Sequence, residues 1–367
     1  MLRVINIVGA RPNFMKVAPL VEAMKRREQE FAPLVVHTGQ HYDQLMSDAF
    51  LRDLELPVPD FCLEVGSASQ AAQTAAIMQK FEPVLLSEQP DWVVVVGDVN
   101  STLACALVAV KLGVKVAHVE AGLRSHDRTM PEEINRLLTD QIADLLFTPS
   151  TDAGENLRAE GIPEERISFV GNIMIDSLAK YLRPARATGI SERLGFANTD
   201  FAVLTLHRPS NVDDYRTFSG ILDALTEIAR RVPIIFPVHP RTRKTIAELG
   251  LSDRIKGVSG LRLIEPLGYL EFLGLYSDAK LVLTDSGGLQ EETTFLGLPC
   301  LTLREKTERP ITVELGTNLV VGTNPEKITS AALAVLDGSM VRSAHQIPPL
   351  WDGHTAERIL NSLLEYK

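Results

Sequence analysis

Short runs of β-branched residues recur along this chain, separated by longer stretches rich in helix-forming residues. The runs Arg3–Val8, Trp92–Val96 and Val114–Val119 are almost wholly apolar and do not alternate with polar positions. Strands of this kind are typical of parallel sheets that helices cover on both faces. The alternation of strand and helix also requires crossover connections. The chain is therefore predicted to be α/β, with doubly wound parallel sheets.

The pattern occurs twice, which predicts two similar halves. Strands are predicted in the first half at Arg3–Val8, Pro33–His37, Trp92–Val96, Val114–Val119, Leu145–Thr148 and Ile167–Val170, and in the second at Phe201–Leu206, Pro233–Pro237, Leu261–Ile264, Leu281–Thr284, Cys300–Leu303 and Asn318–Val321. The polar segment Tyr181–Asp200 contains proline and glycine and is the predicted domain boundary. Two Rossmann-like domains should face a cleft, and ligands of such sheets bind outside the carboxyl ends of the strands. The last helix, Thr355–Tyr366, could dock on either domain.

Composition excludes several classes of protein. The 367 residues carry a formal net charge of −10, which weighs against a nucleic-acid partner, so local cations would have to bind an anionic substrate. Cys62, Cys105 and Cys300 form no C-x-x-C pair, which argues against a metal site or a disulfide framework. The longest apolar run, Leu103–Val110, is too short to span a membrane. Met1–Ala10 has the composition of a buried strand and not of a signal peptide. A cytoplasmic protein is expected.

Acidic residues follow the predicted strands of the first half. Asp98 and Glu120 come at two strand ends, and Glu132 follows in the next loop. Because parallel strands end at one edge of a sheet, the three carboxylates should lie close together. Their mutual repulsion should raise at least one pKa toward neutrality, which suits proton transfer. Helix capping and helix-dipole interactions are the alternative explanation for each acid taken alone.

Basic and histidine side chains also follow strands. Arg11 and Lys16 lie near the start of a predicted helix, whose N-terminus favours anions, so they are candidate phosphate contacts. An ordinary turn with solvated cations is the alternative. His207 precedes an arginine at a strand end and is placed to stabilise a developing phosphate charge. His239 repeats this placement one strand later, and Arg309 lies in a loop after another strand.

The segment Thr284–Glu292 is the most informative in the second half. A strand leads into Ser286, Gly287 and Gly288 and then into a helix. Open backbone amides and a small hydroxyl at a helix N-terminus form a ready anion site. A carboxylate further into the helix can accept both hydroxyls of a ribose, so the segment predicts a nucleotide site.

Taken together, these motifs resemble one known family. In chain order they are GARPNFMK, GDVNST, HVEAGLR, PEEINR, LHRPSNVD, PVHP, TDSGGLQEE and TERP. The ordered set resembles the non-hydrolysing UDP-N-acetylglucosamine 2-epimerases from residue 3 to about residue 323. The resemblance implies a glycosyltransferase-B-type fold whose C-terminal helix crosses back to the first domain. The domains would be 1–180 with 354–367, and 181–353.

The resemblance also implies an activity. The family interconverts UDP-N-acetylglucosamine (UDP-GlcNAc) and UDP-N-acetylmannosamine (UDP-ManNAc) without a redox cofactor or a required metal, and supplies precursors of surface polysaccharide. The C2 proton leaves with UDP to give 2-acetamidoglucal, and protonation of the opposite face and return of UDP complete the inversion. A cytoplasmic homodimer is expected.

Residue roles carry over by matching motifs. Asp98, Glu120 and Glu132 match the proposed acid/base carboxylates, without an assignment of which is acid and which is base. The positions that match the diphosphate and nucleotide contacts are Arg11, Lys16, His207, Ser286, Gly287 and Glu292. Some bacterial members bind a second UDP-GlcNAc as activator, and Gln40-His41 and His239 fall in matching motifs. The chain departs from the family at Asn13, where many members have glutamate, and at Pro209-Ser210.

Other functions remain open at this stage. A hydrolysing relative would release free ManNAc and UDP, and the sequence separates it poorly. A UDP-sugar glycosyltransferase of the same fold would need an acceptor surface and only one base. A binder without catalytic activity would have no use for the carboxylates. The substituent at C2 of the sugar is also undetermined.

Overall fold

The structure is a computed structural model that describes residues 1–39, 58–197, 199–339 and 345–366. The chain divides into two compact units. The first unit comprises Met1–Lys180 and Pro349–Lys367, and the second comprises Tyr181–Pro348. Each unit is built on its own parallel sheet with interleaved helices, so the predicted α/β fold is confirmed.

The sheet of the first unit has the strand order β3-β2-β1-β4-β5-β6-β7 over the described residues. Its strands are β1 Leu2–Val8, β2 Phe31–His37, β3 Phe61–Cys62, β4 Trp92–Val96, β5 Lys115–Val119, β6 Leu145–Thr148 and β7 Ile167–Phe169. The connecting helices are α1 Arg11–Arg26, α2 Gln70–Glu88, α3 Asn100–Lys111, α4 Pro131–Ile142, α5 Thr151–Ala159 and α6 Ile173–Ala187, with a 3-10 turn at Glu164–Arg166. Val93, Val94 and Val95 are all fully buried, because helices cover both faces of β4.

The sheet of the second unit has the order β10-β9-β8-β11-β12-β13. Its strands are β8 Ala202–Thr205, β9 Ile234–Pro237, β10 Leu261–Ile264, β11 Leu281–Thr284, β12 Cys300–Thr302 and β13 Asn318–Val320. Its helices are α7 Ile190–Arg193, α8 Pro209–Val212, α9 Tyr215–Ala229, α10 Pro240–Glu248, α11 Ser252–Lys256, α12 Tyr269–Ser277, α13 Gly287–Leu296, α14 Ile311–Glu314 and α15 Pro325–Leu336. Phe218, Ile221 and Leu225 on one side of α9 pack into the core of this unit.

The last helix, α16 Thr355–Glu365, belongs to the first unit. Ile359, Leu360 and Leu363 bury its apolar face, and Asp176 on α6 accepts hydrogen bonds from the first two backbone N–H groups of the helix at 3.1 and 2.8 Å. A carboxylate at a helix N-terminus satisfies amides that have no partner within the helix. The C-terminal helix therefore returns to the first unit, as the family resemblance implies.

The segment predicted as a polar connection contains more helix than expected. Helix α6 continues through Tyr181 to Ala187, and the short helix α7 follows. Tyr181 and Ala185 are buried although their neighbours are polar. Their spacing of four residues places both on one helical face, a stripe too short to stand out in the sequence.

Each sheet contains one point where the strand order reverses. β1 pairs with β4 in the first unit and β8 with β11 in the second. Ligands of open α/β sheets bind at the carboxyl ends beside such a reversal. Asp98 follows β4 and His207 follows β8, so the predicted site residues occupy these points. Over the described residues, no helix has the length and apolarity that crossing a membrane requires.

Gly171 packs closely against the backbone of Leu350, so a substitution at Gly171 tests how the C-terminal segment packs within the first unit. A Cβ at Gly171 would lie 2.2 Å from the backbone oxygen of Leu350. Gly171→Ala should therefore cost roughly 2 kcal/mol more than Gly161→Ala, because Gly161 shares the left-handed backbone but has nothing within 4 Å of its Cβ position. The measurement is thermal unfolding of both variants, with a melting temperature for Gly171→Ala lower by roughly 4–8 °C. Equal melting temperatures would contradict the packing.

Candidate functional site

Glu120 stands at the end of β5 in an unusual backbone conformation. Its φ is +70°, in the left-handed region that side-chain-bearing residues rarely adopt. The backbone N–H groups of Glu120 and Ala121 both donate to the carbonyl oxygen of Phe147 at 3.1 Å, which turns the chain out of the strand. Strained conformations of this kind concentrate at functional sites.

A buried ion pair holds the Glu120 side chain. Lys16 Nζ lies 2.6 Å from Glu120 Oε2, and the two side chains are 8% and 4% exposed. Gly97 completes the arrangement, because a Cβ there would lie 2.9 Å from Lys16 Nζ. Lys16 was predicted as a nucleotide contact, and the structure places it against Glu120 within the first unit. A buried charge requires such a partner, since desolvation otherwise costs several kcal/mol.

Asn13, the departure from the family pattern, fixes the loop before α1. Its Oδ1 accepts from the backbone N–H groups of Gly9 and Ala10 at 3.1 and 2.8 Å. Its Nδ2 donates to the carbonyl oxygen of Val96 at 3.1 Å. A carboxylate could not make this last bond, because it has no hydrogen to donate. Asn13 therefore ties the end of β1 to the end of β4.

Asp98 is also paired with a cation. Arg136 Nη2 on α4 lies 2.6 Å from Asp98 Oδ2, and Arg136 Nη1 lies 2.7 Å from Glu133 Oε2. Burial raises the pKa of Glu133, but hydrogen bonds from the Ser125 N–H and from Arg136 outweigh that effect and hold the pKa below its usual range. Asn135 Nδ2 adds a hydrogen bond of 2.9 Å to the carbonyl oxygen of Asp98. One face of α4 thus fixes the loop that carries Asp98.

The predicted cluster of mutually repelling carboxylates needs correction. Asp98 and Glu120 each have a cation at 2.6 Å, so attraction and not repulsion dominates at both. Glu132 is exposed in the first turn of α4, next to the buried Glu133. Two of the three predicted carboxylates, Asp98 and Glu120, are therefore held by buried cations. We call Asp98, Glu120 and Glu132, with Lys16 and Arg136, the carboxylate site.

In the second unit, His207 is oriented by a buried aspartate. His207 Nδ1 lies 2.8 Å from Asp285 Oδ1, and the side chains are 55% and 0% exposed. Asp285 also accepts from the backbone N–H groups of His207 and Arg208 at 3.0 and 2.9 Å. Burial raises the pKa of Asp285, but His207 and these amides outweigh it, and the pKa lies below its usual range. The pairing leaves Nε2 as the second ring nitrogen, on a half-exposed imidazole.

The turn after β11 has the geometry of an anion site. Ser286 is the N-cap of α13, and its side chain does not bond the helix amides. A Cβ at Gly287 would lie 2.5 Å from Arg309 Nη1, whereas a Cβ at Gly288 would meet nothing within 4 Å. A glycine is therefore required at position 287 because Arg309 packs closely against it. At Gly288 the space beside the turn is open.

Arg309 is buried in ion pairs of its own unit. Its Nε lies 2.9 Å from Glu291 Oε1 and its Nη1 lies 2.7 Å from Glu308 Oε1. Arg304 Nη1 lies 2.8 Å from the other oxygen of Glu308. Arg309 was predicted to bind substrate, and the structure places it beneath the Ser286–Gly288 turn between two carboxylates.

Glu292, the predicted ribose ligand, lies fully within the second unit. Tyr276 donates its hydroxyl to Glu292 Oε2 at 2.7 Å. Burial, reinforced by the charge of Glu291, raises the pKa of Glu292 to about 7, and the tyrosine bond only partly offsets this. The Glu292 carboxyl group therefore ionises near neutral pH.

The remaining predicted residues are placed as follows. Arg11 is the first residue of α1, and its side chain is not among the parts of the chain that the structure describes. His239 is exposed as the N-cap of α10, where its Nδ1 accepts from the Arg241 N–H at 3.3 Å. Gln40 and His41 lie outside the described residues. Among the residues that are described, no three His, Cys, Asp or Glu side chains are grouped to hold a metal ion.

Sequence reasoning missed the cations that hold the carboxylates. Arg136 lies in the motif PEEINR, three residues after Glu133. This helical spacing could have indicated the ion pair between Arg136 and Glu133. The contact between Lys16 and Glu120 joins residues far apart in sequence, and no local pattern predicts it.

Fold and site together define an α/β protein of the glycosyltransferase-B type. The family model for UDP-N-acetylglucosamine 2-epimerase matches residues 22–364. A UDP-N-acetylglucosamine 2-epimerase of Methanocaldococcus jannaschii is 44% identical over 364 residues, 97% of each chain. The chain belongs to the UDP-N-acetylglucosamine 2-epimerase family, and it is an epimerase.

A solved structure and a further relative show similar likeness. A crystal structure of the Methanocaldococcus jannaschii UDP-GlcNAc 2-epimerase in complex with UDP-GlcNAc and UDP superposes with a TM-score of 0.91 at 43% identity and covers 100% of both chains. A UDP-2,3-diacetamido-2,3-dideoxy-D-glucuronate 2-epimerase of Pseudomonas aeruginosa is 42% identical over 335 residues, 90% of this chain and 91% of its own.

The buried pair can be tested by a double-mutant cycle. Lys16→Met should leave the Glu120 carboxylate buried without its cation, and adding Glu120→Gln should recover part of the loss. We expect a coupling of about 2 kcal/mol or more in the free energy of unfolding, measured by urea titration. The exposed pair Lys244–Glu248 serves as control, with a coupling below roughly 0.5 kcal/mol. Equal coupling energies would refute a structural role for the buried pair.

The raised pKa of Glu292 predicts a pH-dependent stability. Between about pH 4.5 and 7 the unfolded chain loses this proton while the folded chain keeps it, so stability falls as pH rises through this window. Glu292→Gln removes the effect, and its stability relative to wild type should increase from pH 5 to pH 8 by up to roughly 3 kcal/mol. Thermal unfolding at both pH values measures the change, with the exposed Glu248→Gln as control. A difference that does not vary with pH would argue against the shift.

Proposed function

We propose that this protein interconverts UDP-GlcNAc and UDP-ManNAc reversibly and without net hydrolysis. A carboxylate takes the C2 proton while the C1–O bond breaks and the electron pair of that bond leaves with UDP. The bound products are 2-acetamidoglucal and UDP. A second acid then protonates C2 on the opposite face, and UDP returns to C1. Atoms and charge balance without a redox cofactor.

The carboxylate site of the first unit is assigned to the proton transfers. Carboxylates are common general acids and bases, and they need a fixed orientation toward the carbon that exchanges hydrogen. Lys16 and Arg136 supply that orientation at Glu120 and Asp98 through contacts of 2.6 Å. Glu132 is assigned to the same reaction from the family resemblance, and its exposure leaves it open to a ligand.

The second unit is assigned to the departing nucleotide. The first backbone amides of α13, at Gly287 and Gly288, are suited to a phosphate at a helix N-terminus. His207, whose Nδ1 faces Asp285 at 2.8 Å, can donate from Nε2 to the charge that develops on the diphosphate when both ring nitrogens carry a hydrogen. Glu292 is assigned to the ribose hydroxyls, and Arg11 and His239 to further contacts with the UDP-sugar. Arg309 would act by supporting the turn.

The observation that carries the proposal is the pairing of Asp98 and Glu120 with buried cations beside the strand reversal. A glycosyltransferase needs one base, and a binder without catalytic activity needs none. Two carboxylates fixed at one sheet edge support a reaction that both removes and returns a proton.

The sugar itself has a second candidate. The relative from Pseudomonas aeruginosa is named for UDP-2,3-diacetamido-2,3-dideoxy-D-glucuronate, and it is 42% identical to this chain. This supports testing both UDP-sugars side by side. A homodimer, a cytoplasmic location, a role in polysaccharide precursor supply and activation by a second UDP-GlcNAc remain predictions from the family resemblance.

The reaction is tested by incubating the protein with UDP-GlcNAc in D2O and recording NMR spectra. We expect UDP-ManNAc with deuterium at C2 in both epimers. Accumulation of free ManNAc and UDP would instead identify a hydrolysing enzyme. Absence of C2 exchange with UDP-GlcNAc, but exchange with the diacetamido uronate, would redirect the proposal to that sugar. Absence of exchange with both would contradict epimerisation.

The assignment of the carboxylates is tested by amide substitution. Asp98→Asn, Glu120→Gln and Glu132→Gln should each lower kcat by roughly 100-fold to 10,000-fold, because each removes a proton-transfer group. The dissociation constant of UDP should change little, since UDP is assigned to the other unit. Glu82→Gln, an exposed position on α2, is the control and should keep full activity. Near-normal turnover in all three variants would overturn the assignment.

A further inference from the structure

His118 lies on β5, two residues before Glu120, and is fully buried. Its Nδ1 lies 2.6 Å from Asp140 Oδ1, and its Nε2 lies 2.8 Å from the carbonyl oxygen of Gly97. A carbonyl oxygen can only accept a hydrogen bond, so Nε2 must carry a hydrogen. Gly97 immediately precedes Asp98, so the ring contacts the backbone of the loop that carries Asp98.

The charges around Asp140 place a hydrogen on Nδ1 as well. Asp140 Oδ2 accepts from Arg124 Nη2 at 2.7 Å and from the Gly122 N–H at 3.1 Å. Burial raises the pKa of Asp140, but His118 and Arg124 outweigh that effect, and its pKa lies below the usual range. An ionised carboxylate only accepts, so Nδ1 must donate to it. Glu160, bound to Arg124 at 2.7 Å, is the other charged group of this network.

The network fixes Gly97 from several sides. Its N–H donates to the carbonyl oxygen of Val119 at 3.0 Å, and its carbonyl oxygen accepts from His118. Its φ of +69° and the contact with Lys16 Nζ leave no room for a side chain. Asp140 meanwhile holds the N–H of Gly122, two residues beyond Glu120. The same histidine–aspartate pair therefore anchors the loops that carry Asp98 and Glu120.

We propose that His118 is the positioning residue of the carboxylate site, and that it acts as a buried imidazolium that donates from both ring nitrogens. The bond from Nε2 to Gly97 sets the place of Asp98, and the bond from Nδ1 to Asp140 sets the turn after Glu120. The claim about the carboxylates' catalytic roles rests on the proposed function. The hydrogen placement rests on the donor and acceptor geometry and on the ionised state of Asp140 beside Arg124.

The hydrogen placement is tested on the unmodified full-length protein. With 15N-labelled histidine, a long-range 1H–15N spectrum at pH 7.5 distinguishes a ring with two N–H groups from a neutral ring. The His118 signals are assigned by their loss in His118→Gln. We expect both nitrogens of this ring to be protonated. A neutral ring would overturn the proposal.

Positioning is tested by two matched substitutions. The amide nitrogen of His118→Gln reaches the place of Nε2 and can still bond Gly97, whereas that of His118→Asn reaches only the place of Nδ1 and can still bond Asp140. We expect His118→Asn to lower kcat by about 100-fold and His118→Gln by less than about 10-fold, since misplacing a reacting group by about 1 Å costs on that order. UDP affinity should stay within about twofold in both. Equal losses of kcat, or losses in UDP affinity instead, would overturn the role.

A readout without turnover separates this proposal from the proposed function. Amide hydrogen exchange of the peptide that covers residues 97–99 should be faster in His118→Asn than in His118→Gln. If the wild type failed to epimerise any UDP-sugar, this difference and the two-proton ring would still support His118 as the anchor of Gly97. Identical exchange in both variants would contradict it.

Discussion

The ion pair between Lys16 and Glu120 is the interaction on which the first unit's site depends. Helix α1 supplies Lys16 and strand β5 supplies Glu120, and the two charged atoms meet at 2.6 Å over Gly97 at the end of β4. A carboxylate this deeply buried is tolerated only beside a cation. The pair therefore joins helix α1 to the end of β5 beside Gly97, and Glu120 itself has a left-handed backbone conformation that is otherwise unfavourable.

The second unit also has charged groups beside its strand-order reversal, but they are arranged differently. The buried charge beside its reversal is Asp285, which is satisfied by His207 and by backbone amides, and the turn that follows presents helix N–H groups. Glu292 is the exception, because burial without a cation raises its pKa to about 7. Under the proposed function, the fixed carboxylates of the first unit move the proton and the turn of the second unit binds the diphosphate that is released.

Most of the architecture could be predicted from the sequence because apolar runs without alternation are specific for parallel strands. The two-residue strand β3 is too short to produce such a run, and the helical end of α6 was hidden by polar neighbours. The strand-end motifs placed Asp98 and Ser286 at sheet reversals, and Glu120 at the end of the neighbouring strand β5. Their partners could not be predicted, because Lys16, Arg136 and the His118–Asp140 pair meet them only through tertiary contacts. The pairing of Lys16 with Glu120 was missed for the same reason, since a cation near a helix start indicates an anion without saying which one. Its contact with the nucleotide stays a prediction.

The central claim is that the carboxylates of the first unit act at C2 of the sugar. A crystal structure of the slow variant Asp98→Asn with UDP-GlcNAc bound tests it most directly. The account predicts a carboxylate oxygen of Glu120 or Glu132 within about 4 Å of C2, the separation at which a proton can be transferred. A bound sugar whose C2 lies far from both carboxylates would contradict it.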